Sequence, residues 1–499
     1  MRYIAGSDRY QQTMLPEIID DYVTEENPVR VIDAYIDSLE MAKLGIKATP
    51  AETGRPSYHP KDMLKLYIYG YFNRLRSSRK LETETKRNIE LMWLMNKLSP
   101  DHKTIARFRK DNVKALKNIF RDFVKLSQKL GLYGNELEAI DGSKFKAVNS
   151  VDNNFNRQKL DDRILRIDEK LDRYFSEMSE NDKNESDAPK HTKEEIATAI
   201  EELTVKRENY ESMRARLDET GETQISTVDT DARRMKLANG GSDVCYNVQI
   251  AVDAKHKMIG DYDVTNHCND KNLLAPMAKS VKETLGVEKI AVSADTGYFV
   301  VSDLADCIIN GITPHVSSEY DSVTFCVPAT AEEVNEPQNF DHQGKNVLIK
   351  ERNIGLCPMG CILYPRSYRK STNVAVYSNA KACRACPHRK NCKPYDRELK
   401  VKMPACEFSK EYNDEGLRVK QITYSPDKSL LQKRKEIAEH PFGTIKRQMD
   451  ASYCLLKGVV NVAGEFALTF LAYNLKRAIN VLGVAFMIQA IRTQRSCSY

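Results

Sequence analysis

Apolar and polar positions in the first 130 residues repeat with helical spacing. In the first such segment the apolar positions recur every three or four residues, and they are Val31, Ile32, Tyr35, Ile36 and Leu39. Such spacing places them on one face of a helix. Further helical patterns begin at Lys61 and at Ile89, the second running to Leu98, and Ser99-Pro100-Asp101-His102 is typical of a helix start. Residues 1–130 are therefore predicted to form a helical domain.

Two later stretches have the composition of strands, and each delivers an aspartate close to a glycine. The first runs from Leu137 to Gly142 and carries Asp141, and the second runs from Lys289 to Tyr298 and carries Asp295. A single Asp-Gly is usually a solvated turn at the end of a core strand. Two strand-borne carboxylates, each opened by a glycine, instead predict a metal ion or a phosphate group between them.

A helical hairpin is predicted between these strands. Apolar residues from Leu160 to Met178 are spaced alternately by four and three, which is a heptad seam. A second helical pattern runs from Ile196 to Leu217, and the polar stretch Ser179–Thr192 separates the two. We interpret residues 155–222 as an antiparallel coiled-coil hairpin inserted into a larger domain.

Strands and helices alternate after the hairpin. The predicted elements are a β-hairpin (Val244–Val252 and Met258–Thr265), a helix (Asn272–Leu285), the Asp295 strand, a helix (Val301–Ile309) and a strand (Ile312–Val316). This order predicts an α/β fold with a ribonuclease-H-like mixed sheet. In that fold the strands of Asp141 and Asp295 are neighbours, so their carboxylates share a site.

Residues 319–427 have an irregular pattern and are rich in cysteine. Five of the chain's 12 cysteines fall here within 36 residues: Cys357, Cys361, Cys383, Cys386 and Cys392. No secretion signal is visible, so reduced thiols are expected, and Cys-x2-Cys then favours zinc. We predict a structural Zn2+ site of Cys357, Cys383, Cys386 and Cys392. Cys361 is the rival for the first ligand, and unliganded buried thiols are the alternative to a metal.

Composition and charge narrow the class of protein. A hydrophobic content of 41% and a charged content of 29% are typical of a globular protein. The most apolar segment, Phe466–Ile491, contains Lys476 and Arg477, which favours a buried helix pair over a membrane span. We therefore expect a cytoplasmic protein of about three domains.

The net charge of +6 is unevenly distributed. Arg55–Lys114 holds 15 Lys and Arg against 6 Asp and Glu, whereas Arg157–Glu222 holds 13 against 19. The first segment attracts a polyanion and the second does not. Candidate DNA contacts in the first are Arg74, Arg79, Arg107 and Arg109. A solvated charged face is the alternative.

A series of motifs in chain order resembles the D-D-E transposases of bacterial insertion sequences, in the group with an insertion domain between the second Asp and the Glu. The motifs are Ala139–Lys144, Thr227–Met235, Tyr246–Asp253, Val264–Asp270, Ala294–Tyr298, Ala438–Lys446 and Ala472–Arg477. Residues 55–115 also look like the helical domain that precedes such catalytic domains. The resemblance covers nearly the whole chain.

The resemblance implies a catalytic set of Asp141, Asp295 and Glu439, which would hold two Mg2+ (or Mn2+) ions. It also implies that Lys446 and Arg447, following Glu439 on a helix predicted over Leu430–Ala451, hold the DNA backbone. Pro441 and Gly443 are expected to bend or interrupt that helix.

The helix departs from the family pattern Tyr-x2-Arg-x3-Glu-x6-Lys. Glu439 and Lys446 fit, but position 432 is Gln and position 435 is Lys, with Arg434 one place off. Glu436 is the competitor for the third carboxylate.

The implied function is that of a transposase that binds the ends of its mobile element and catalyses metal-dependent strand cleavage and strand transfer. Its partners would be terminal-repeat and target DNA, with a homodimer in the DNA complex. The alternatives are a metal-dependent nuclease without strand transfer and an inactive DNA-binding regulator. The expected domains are 1–130 (helical), 131–318 (catalytic, first part), 319–427 (Cys-rich insertion) and 428–499 (catalytic, second part).

Overall fold

The computed structural model of the chain describes residues 18–46, 56–183, 191–330, 332–334 and 340–496. Parts of several predicted segments lie outside the described residues. These are 1–17 and 47–55 in the helical N-terminal domain, 184–190 in the polar stretch of the hairpin, 331 and 335–339 in the Cys-rich region, and 497–499 at the C-terminus.

Helices dominate both ends of the described chain, and strands dominate its middle. The α-helices are α1 (Pro28–Ser38), α2 (Pro60–Phe72), α3 (Ser78–Glu84), α4 (Ile89–Leu94), α5 (His102–Asp111), α6 (Val113–Lys129), α7 (Arg157–Lys183), α8 (Lys193–Thr220), α9 (Leu274–Leu285), α10 (Val301–Ile309), α11 (Ala380–Ala385), α12 (Lys428–Gly443), α13 (Val459–Leu482) and α14 (Val484–Ser496). The strands are β1 (Leu137–Lys146), β2 (Asn154–Asn156), β3 (Gln224–Ser226), β4 (Arg233–Lys236), β5 (Ser242–Asp253), β6 (Ile259–Thr265), β7 (Ile290–Ala294), β8 (Ile312–Val316), β9 (Val323–Pro328), β10 (Val347–Ile349), β11 (Ile354–Leu356), β12 (Ile362–Arg369), β13 (Val374–Ser378), β14 (Glu398–Lys402) and β15 (Val419–Tyr424).

The largest sheet is mixed. β5 pairs antiparallel with β1, β4 and β6, whereas β1 pairs parallel with β7 and β7 parallel with β8. The strand order along the main path is β6-β5-β1-β7-β8, with β4 on the first residues of β5. The prediction that the strands carrying Asp141 and leading to Asp295 are neighbours is confirmed.

Strand β1 does not end at Asp141. It continues to Lys146, and Gly142 lies within it, opposite Gln249 of β5. The alternative interpretation, in which Asp141-Gly142 is a turn after a core strand, is wrong. Antiparallel pairing with the long strand β5 holds the segment extended beyond the glycine.

Two helices cover opposite faces of β1. Alternation places Asp141, Ser143 and Phe145 on the same face of the strand, and helix α12 packs there. Glu138 lies on the other face, close to the space beside Val281 of α9. The catalytic candidates of β1 therefore sit between the sheet and α12.

The N-terminal helices dock on the C-terminal helix α13. Helices α2 and α6 both pack against it, and the buried pair Arg76–Glu465 joins the loop after α2 to α13 at 3.2 Å. No single helix among the described residues is long and apolar enough to cross a membrane, although α13 and α14, bent by 106° at their break, pass that test as a pair by length and composition.

The arms of the predicted hairpin are helices, as expected. Helices α7 and α8 pack against each other, and the Arg207–Asp168 pair links them at 2.6 Å. A small apolar cluster at their base contains Phe155, Leu160 and Leu217.

Two local expectations need correction. The helix predicted over Ile89–Leu98 ends at Leu94, because Asn96 and Lys97 adopt positive φ angles of 49° and 63°. The Cys-rich region is also more regular than its pattern indicated. It forms a five-stranded sheet, β10 to β14, and strands β9 and β15 pair at its two ends. In the helix of Glu439 the expected interruption is present, because α12 ends at Gly443 and a π-helical turn, Thr444–Gln448, follows.

Candidate active site

Asp141 lies near the middle of β1, where the central sheet meets α12. Its side chain is 19% exposed. Its Oδ1 accepts a hydrogen bond from the backbone N–H of Gly142 at 3.0 Å, and the Arg434 guanidinium of α12 lies 3.7 Å from the same oxygen. A carboxylate held by one amide and one cation at the sheet surface keeps an open side toward solvent.

Asp295 follows the last residue of β7, the strand next to β1. It begins a short 3-10 helix, Thr296–Tyr298, by accepting the N–H of Gly297 at 2.8 Å. The turn fixes the carboxylate at the carboxyl end of β7, where it is partly exposed.

Asp141 and Asp295 interact electrostatically. Burial raises the pKa of Asp141 to about 6, Arg434 opposes this rise, and the charges of Asp295 and Asp270 add to it. Since like charges raise a carboxyl pKa only at short range, three carboxylates surround one region of the site.

Asp270 belongs to a polar network on the α9 side of the sheet. Its Oδ1 accepts hydrogen bonds from the side-chain amides of Asn247 at 2.7 Å and Gln249 at 2.9 Å, and it lies 3.5 Å from Lys144 Nζ. The Tyr298 hydroxyl donates to the other end of the Gln249 amide. The network links β1, β5, the loop after β6 and the turn after β7.

Gly142 makes room for this network. A Cβ built at position 142 would lie 2.2 Å from Gln249 Nε2, 2.8 Å from Asp270 Oδ1 and 3.0 Å from the Tyr298 hydroxyl. The close approach predicted from the glycine is therefore made by side chains of the same protein, and any larger residue would displace them.

Helix α12 contributes two cations on its sheet-facing side. Besides Arg434, Lys446 Nζ donates to Ser143 Oγ at 2.6 Å and to the Lys144 carbonyl at 3.1 Å. Burial lowers the pKa of Lys446. Arg434 thus occupies the place next to Asp141 that the family pattern gives to an arginine one position later.

Glu439 lies on α12, between Arg434 and Lys446 in sequence. Its side chain is exposed, as is that of its competitor Glu436. The convergence of Glu439 with the two aspartates stays a prediction.

The predicted DNA contacts differ in exposure. Arg74, Arg79, Arg107 and Arg447 are exposed. Arg109 is only 7% exposed, donates to the Tyr71 hydroxyl at 3.1 Å and stacks over the Tyr67 ring. Its assignment as a DNA contact is wrong, because a helix in the core side of the N-terminal bundle turns it inward.

The acidic motif Thr227–Met235 has a structural role. Asp229 Oδ1 accepts the Tyr246 hydroxyl at 2.6 Å and the N–H of Gly458 at 3.1 Å, and Asp231 Oδ2 accepts the N–H of Val459 at 3.0 Å. The two carboxylates thereby hold the N-terminal end of α13, where negative charge is favoured.

Two family models match the chain. A model described as a transposase domain (DUF772) matches residues 17–111, and one described as a transposase DDE domain matches residues 356–479. The matches support a D-D-E transposase. The second match includes the helices that carry Glu439 and Glu465 and ends in α13.

One solved structure similar to this transposase is a cryo-EM structure of the piggyBac transposase synaptic complex with hairpin DNA. The two share 9% identity, over 94% of this chain and 79% of that one, with a TM-score of 0.28. No curated protein matches the chain.

D-D-E transposases generally use divalent metal ions. The donors at this site fit such an ion in kind, because carboxylate oxygens are the ligands that Mg2+ prefers, and Gly142 leaves the space beside Asp141 free of a Cβ. Among the described residues, however, no three His, Cys, Asp or Glu side chains are grouped closely enough to hold a metal ion.

The sequence argument assigned no role to Asn247, Gln249, Asp270 or Tyr298. A signal for two of them was present, since the polar residues 247 and 249 alternate with apolar ones along the buried strand β5. Period-two polar positions inside a buried strand indicate a polar site on one face. For Asp270 no comparable signal existed, because it lies in a loop.

Proposed function

We propose that this transposase binds the ends of its mobile element, cuts a DNA strand there and transfers the new end to target DNA. The observation that carries the proposal is the pair of carboxylates on adjacent parallel strands, Asp141 on β1 and Asp295 after β7, with Arg434 beside them. The setting is expected to be the cytoplasm, at the nucleoid, with a homodimer in the DNA complex.

The order of strands supports a ribonuclease-H-like catalytic domain. Three antiparallel strands (β1, β5, β6) are followed by two parallel ones (β7, β8), with helices α9 and α12 on opposite faces. We assign the catalytic domain to residues 131–318 and 428–499, with 155–222 as a helical insertion, 319–427 as a Cys-rich insertion and 1–130 as the helical DNA-binding domain.

Asp141, Asp295 and Glu439 are the residues that would hold two Mg2+ or Mn2+ ions. When bound, such a pair stabilises the attacking and leaving oxygens of an in-line displacement at phosphorus. In the first reaction water attacks and the bond to the 3′ oxygen breaks, which leaves a 3′-hydroxyl. In the second, that hydroxyl attacks a target phosphodiester and a target 3′ oxygen leaves.

Arg434 and Lys446 serve this site with their positive charges. Arg434 offsets the repulsion between Asp141 and Asp295, as its effect on the pKa of Asp141 indicates. Lys446, anchored on Ser143, lies on the same face of β1 as Asp141 and is suited to hold a DNA phosphate there.

Exposed arginines supply the remaining DNA contacts of the proposal. Arg74, Arg79 and Arg107 lie in the N-terminal helical region, and Arg447 follows Lys446 at the end of α12. Contacts of this kind are made to phosphates and position the DNA without reading its sequence.

A donor plasmid tests the proposal. A resistance marker placed between the DNA segments that flank the gene should move to a target plasmid when wild-type protein is supplied, and should not move with Asp141→Asn. Nicked or cut donor without joined product would instead favour the nuclease, and binding without cleavage the inactive regulator.

We also propose a structural Zn2+ site in the Cys-rich region. A cavity of about 410 Å³ is lined by Cys357, Cys361, Cys383, Cys386 and Cys392, together with His342 and His388. Burial raises the pKa of Cys383, and the nearby sulfurs of Cys392, Cys361 and Cys386 raise it further. This neighbourhood favours Cys361 as the fourth ligand over Cys357, which donates its proton to Cys361.

Metal analysis of reduced, purified protein tests the zinc site. About one Zn2+ per chain is expected, lost in Cys383→Ser with Cys386→Ser and kept in the control Cys406→Ser, whose thiol is exposed. Loss with Cys361→Ser but not with Cys357→Ser would select Cys361. Wild-type protein without zinc would refute the site.

A further inference from the structure

Asp270 is held unusually firmly for a loop carboxylate. Two side-chain amides and the Lys144 ammonium group all converge on Oδ1, at 2.7, 2.9 and 3.5 Å. Asn247 and Gln249, which supply the amides, are themselves buried in β5 and joined by a hydrogen bond of 3.1 Å. Among the described residues Oδ2 accepts no hydrogen bond, so one oxygen is fixed and the other is available.

Two glycines show where this carboxylate lies. The Cβ position of Gly142, the residue after Asp141, is 2.8 Å from Asp270 Oδ1. The Cβ position of Gly297, two residues after Asp295, is 3.8 Å from Asp270 Oδ2 and 3.0 Å from Asp295 Oδ1. Asp270 therefore reaches from the α9 side across the backbone next to both catalytic aspartates, through space that only glycines leave open.

The charges agree with this placement. The hydroxyl of Tyr298 is surrounded by Asp270, Asp141 and Asp295, whose negative charges add to the effect of burial in raising its pKa. The alternative, a purely structural carboxylate that ties β5 to the loop, needs only Oδ1 and leaves the direction of Oδ2 unexplained.

We propose that Asp270 is a further catalytic carboxylate, which contributes its free oxygen Oδ2 as a ligand to a divalent cation shared with Asp141 and Asp295. The inference rests on the proposed function, because that function requires the cation. It adds a ligand from the loop after β6, on the face of the sheet opposite Arg434 and Glu439.

Asp270→Asn separates the two roles of the side chain. The variant keeps an oxygen to accept from Asn247 and Gln249, but it replaces Oδ2 with an amide nitrogen that cannot bind a cation. The probe is Mn2+ alone, titrated against DNA-free protein by calorimetry and by the loss of its free electron paramagnetic resonance signal. Affinity should fall by about tenfold or more in Asp270→Asn.

Asp243→Asn is the matched control. It removes a carboxylate from β5 that pairs with Lys146 at 2.9 Å, away from the network, and it should bind Mn2+ like the wild type. Undiminished affinity in Asp270→Asn, an equal loss in both variants, or no Mn2+ binding by wild-type protein would overturn the inference.

A measurement on wild-type protein covers the case in which Asp270→Asn does not fold. Fe2+ with ascorbate and hydrogen peroxide cuts the backbone near bound metal, and cuts are expected near 141, 270 and 295. Cuts near 141 and 295 without one near 270 would refute the assignment. If the protein binds Mn2+ through Asp270 but never cuts element ends, the proposed function fails and this inference stands.

Discussion

The ion pair between Arg76 and Glu465 joins the two segments of the chain that match transposase family models. Arg76 Nη1 lies 3.2 Å from Glu465 Oε1 and also donates to the Tyr453 carbonyl at 2.9 Å. The two side chains are 7% and 2% exposed. Glu465 in turn accepts the N–H groups of Leu455 and Leu456. The pair thus ties the N-terminal helices to α13 and to the loop before it.

Replacing Arg76 with Met removes the charge and keeps most of the apolar stem. Glu465 is then left as a buried carboxylate without its ion-pair partner, which costs about 3–5 kcal/mol in comparable cases. Burial already raises the pKa of Glu465 and Arg76 opposes that rise, so the variant raises the pKa further. A loss of this size is a large part of a typical stability of about 5–15 kcal/mol.

The assay is urea unfolding at pH 7 followed by the fluorescence of Trp93, the only tryptophan of the chain. Trp93 reports on the N-terminal helices, since its indole N–H donates to Asp20. Arg87→Met is the control, because Arg87 forms an exposed pair with Glu84 worth no more than about 1 kcal/mol.

A double-mutant cycle completes the test. Arg76→Met with Glu465→Gln should cost less than the sum of the single changes by about 1–3 kcal/mol, because the amide is neutral and still accepts hydrogen bonds. If Arg76→Met costs no more than Arg87→Met, or if the two changes are additive, the pair does not hold the helices to α13.

Two further predictions concern the central sheet. Burial and the neighbouring carboxylate of Asp253 raise the pKa of Glu138 well above its usual range, so its contribution to stability is complete below the unfolded pKa of about 4.3 and is lost as the pH rises. Glu138→Gln should therefore raise the urea midpoint at pH 8 and leave it unchanged at pH 4, and equal shifts at both would contradict this. Gly142→Ala places a Cβ 2.2 Å from the Gln249 amide and should lower stability by about 1–3 kcal/mol, whereas Gly443→Ala, with nothing within 4 Å, should be harmless in the same thermal unfolding assay.

Local patterns in the sequence predicted the catalytic strands and helices well. Helix α10 and strand β8 have the predicted bounds, and the helices of the hairpin follow their heptad seam. These elements have strong periodicity and short loops, so the information that defines them is local. The adjacency of β1 and β7 followed from the order of strands and helices.

Tertiary packing decided what local patterns missed. The role of Asp270 depends on the register that places Gly142 opposite Gln249 and Lys144 opposite Asn247, and register is not visible in a strand pattern. Arg109 looked like its basic neighbours, yet an aromatic environment from α2 buries it. Spacing along a helix shows which residues share a face but not which face the rest of the molecule covers.

Strand cleavage in vitro tests the central claim most directly. Labelled DNA carrying the sequences that flank the gene is incubated with Mg2+ and wild-type protein, Asp141→Asn, Asp295→Asn or the control Asp243→Asn. The account predicts new 3′-hydroxyl ends with wild-type protein and the control, and none with the first two variants. Cleavage undiminished in Asp141→Asn or Asp295→Asn would contradict it.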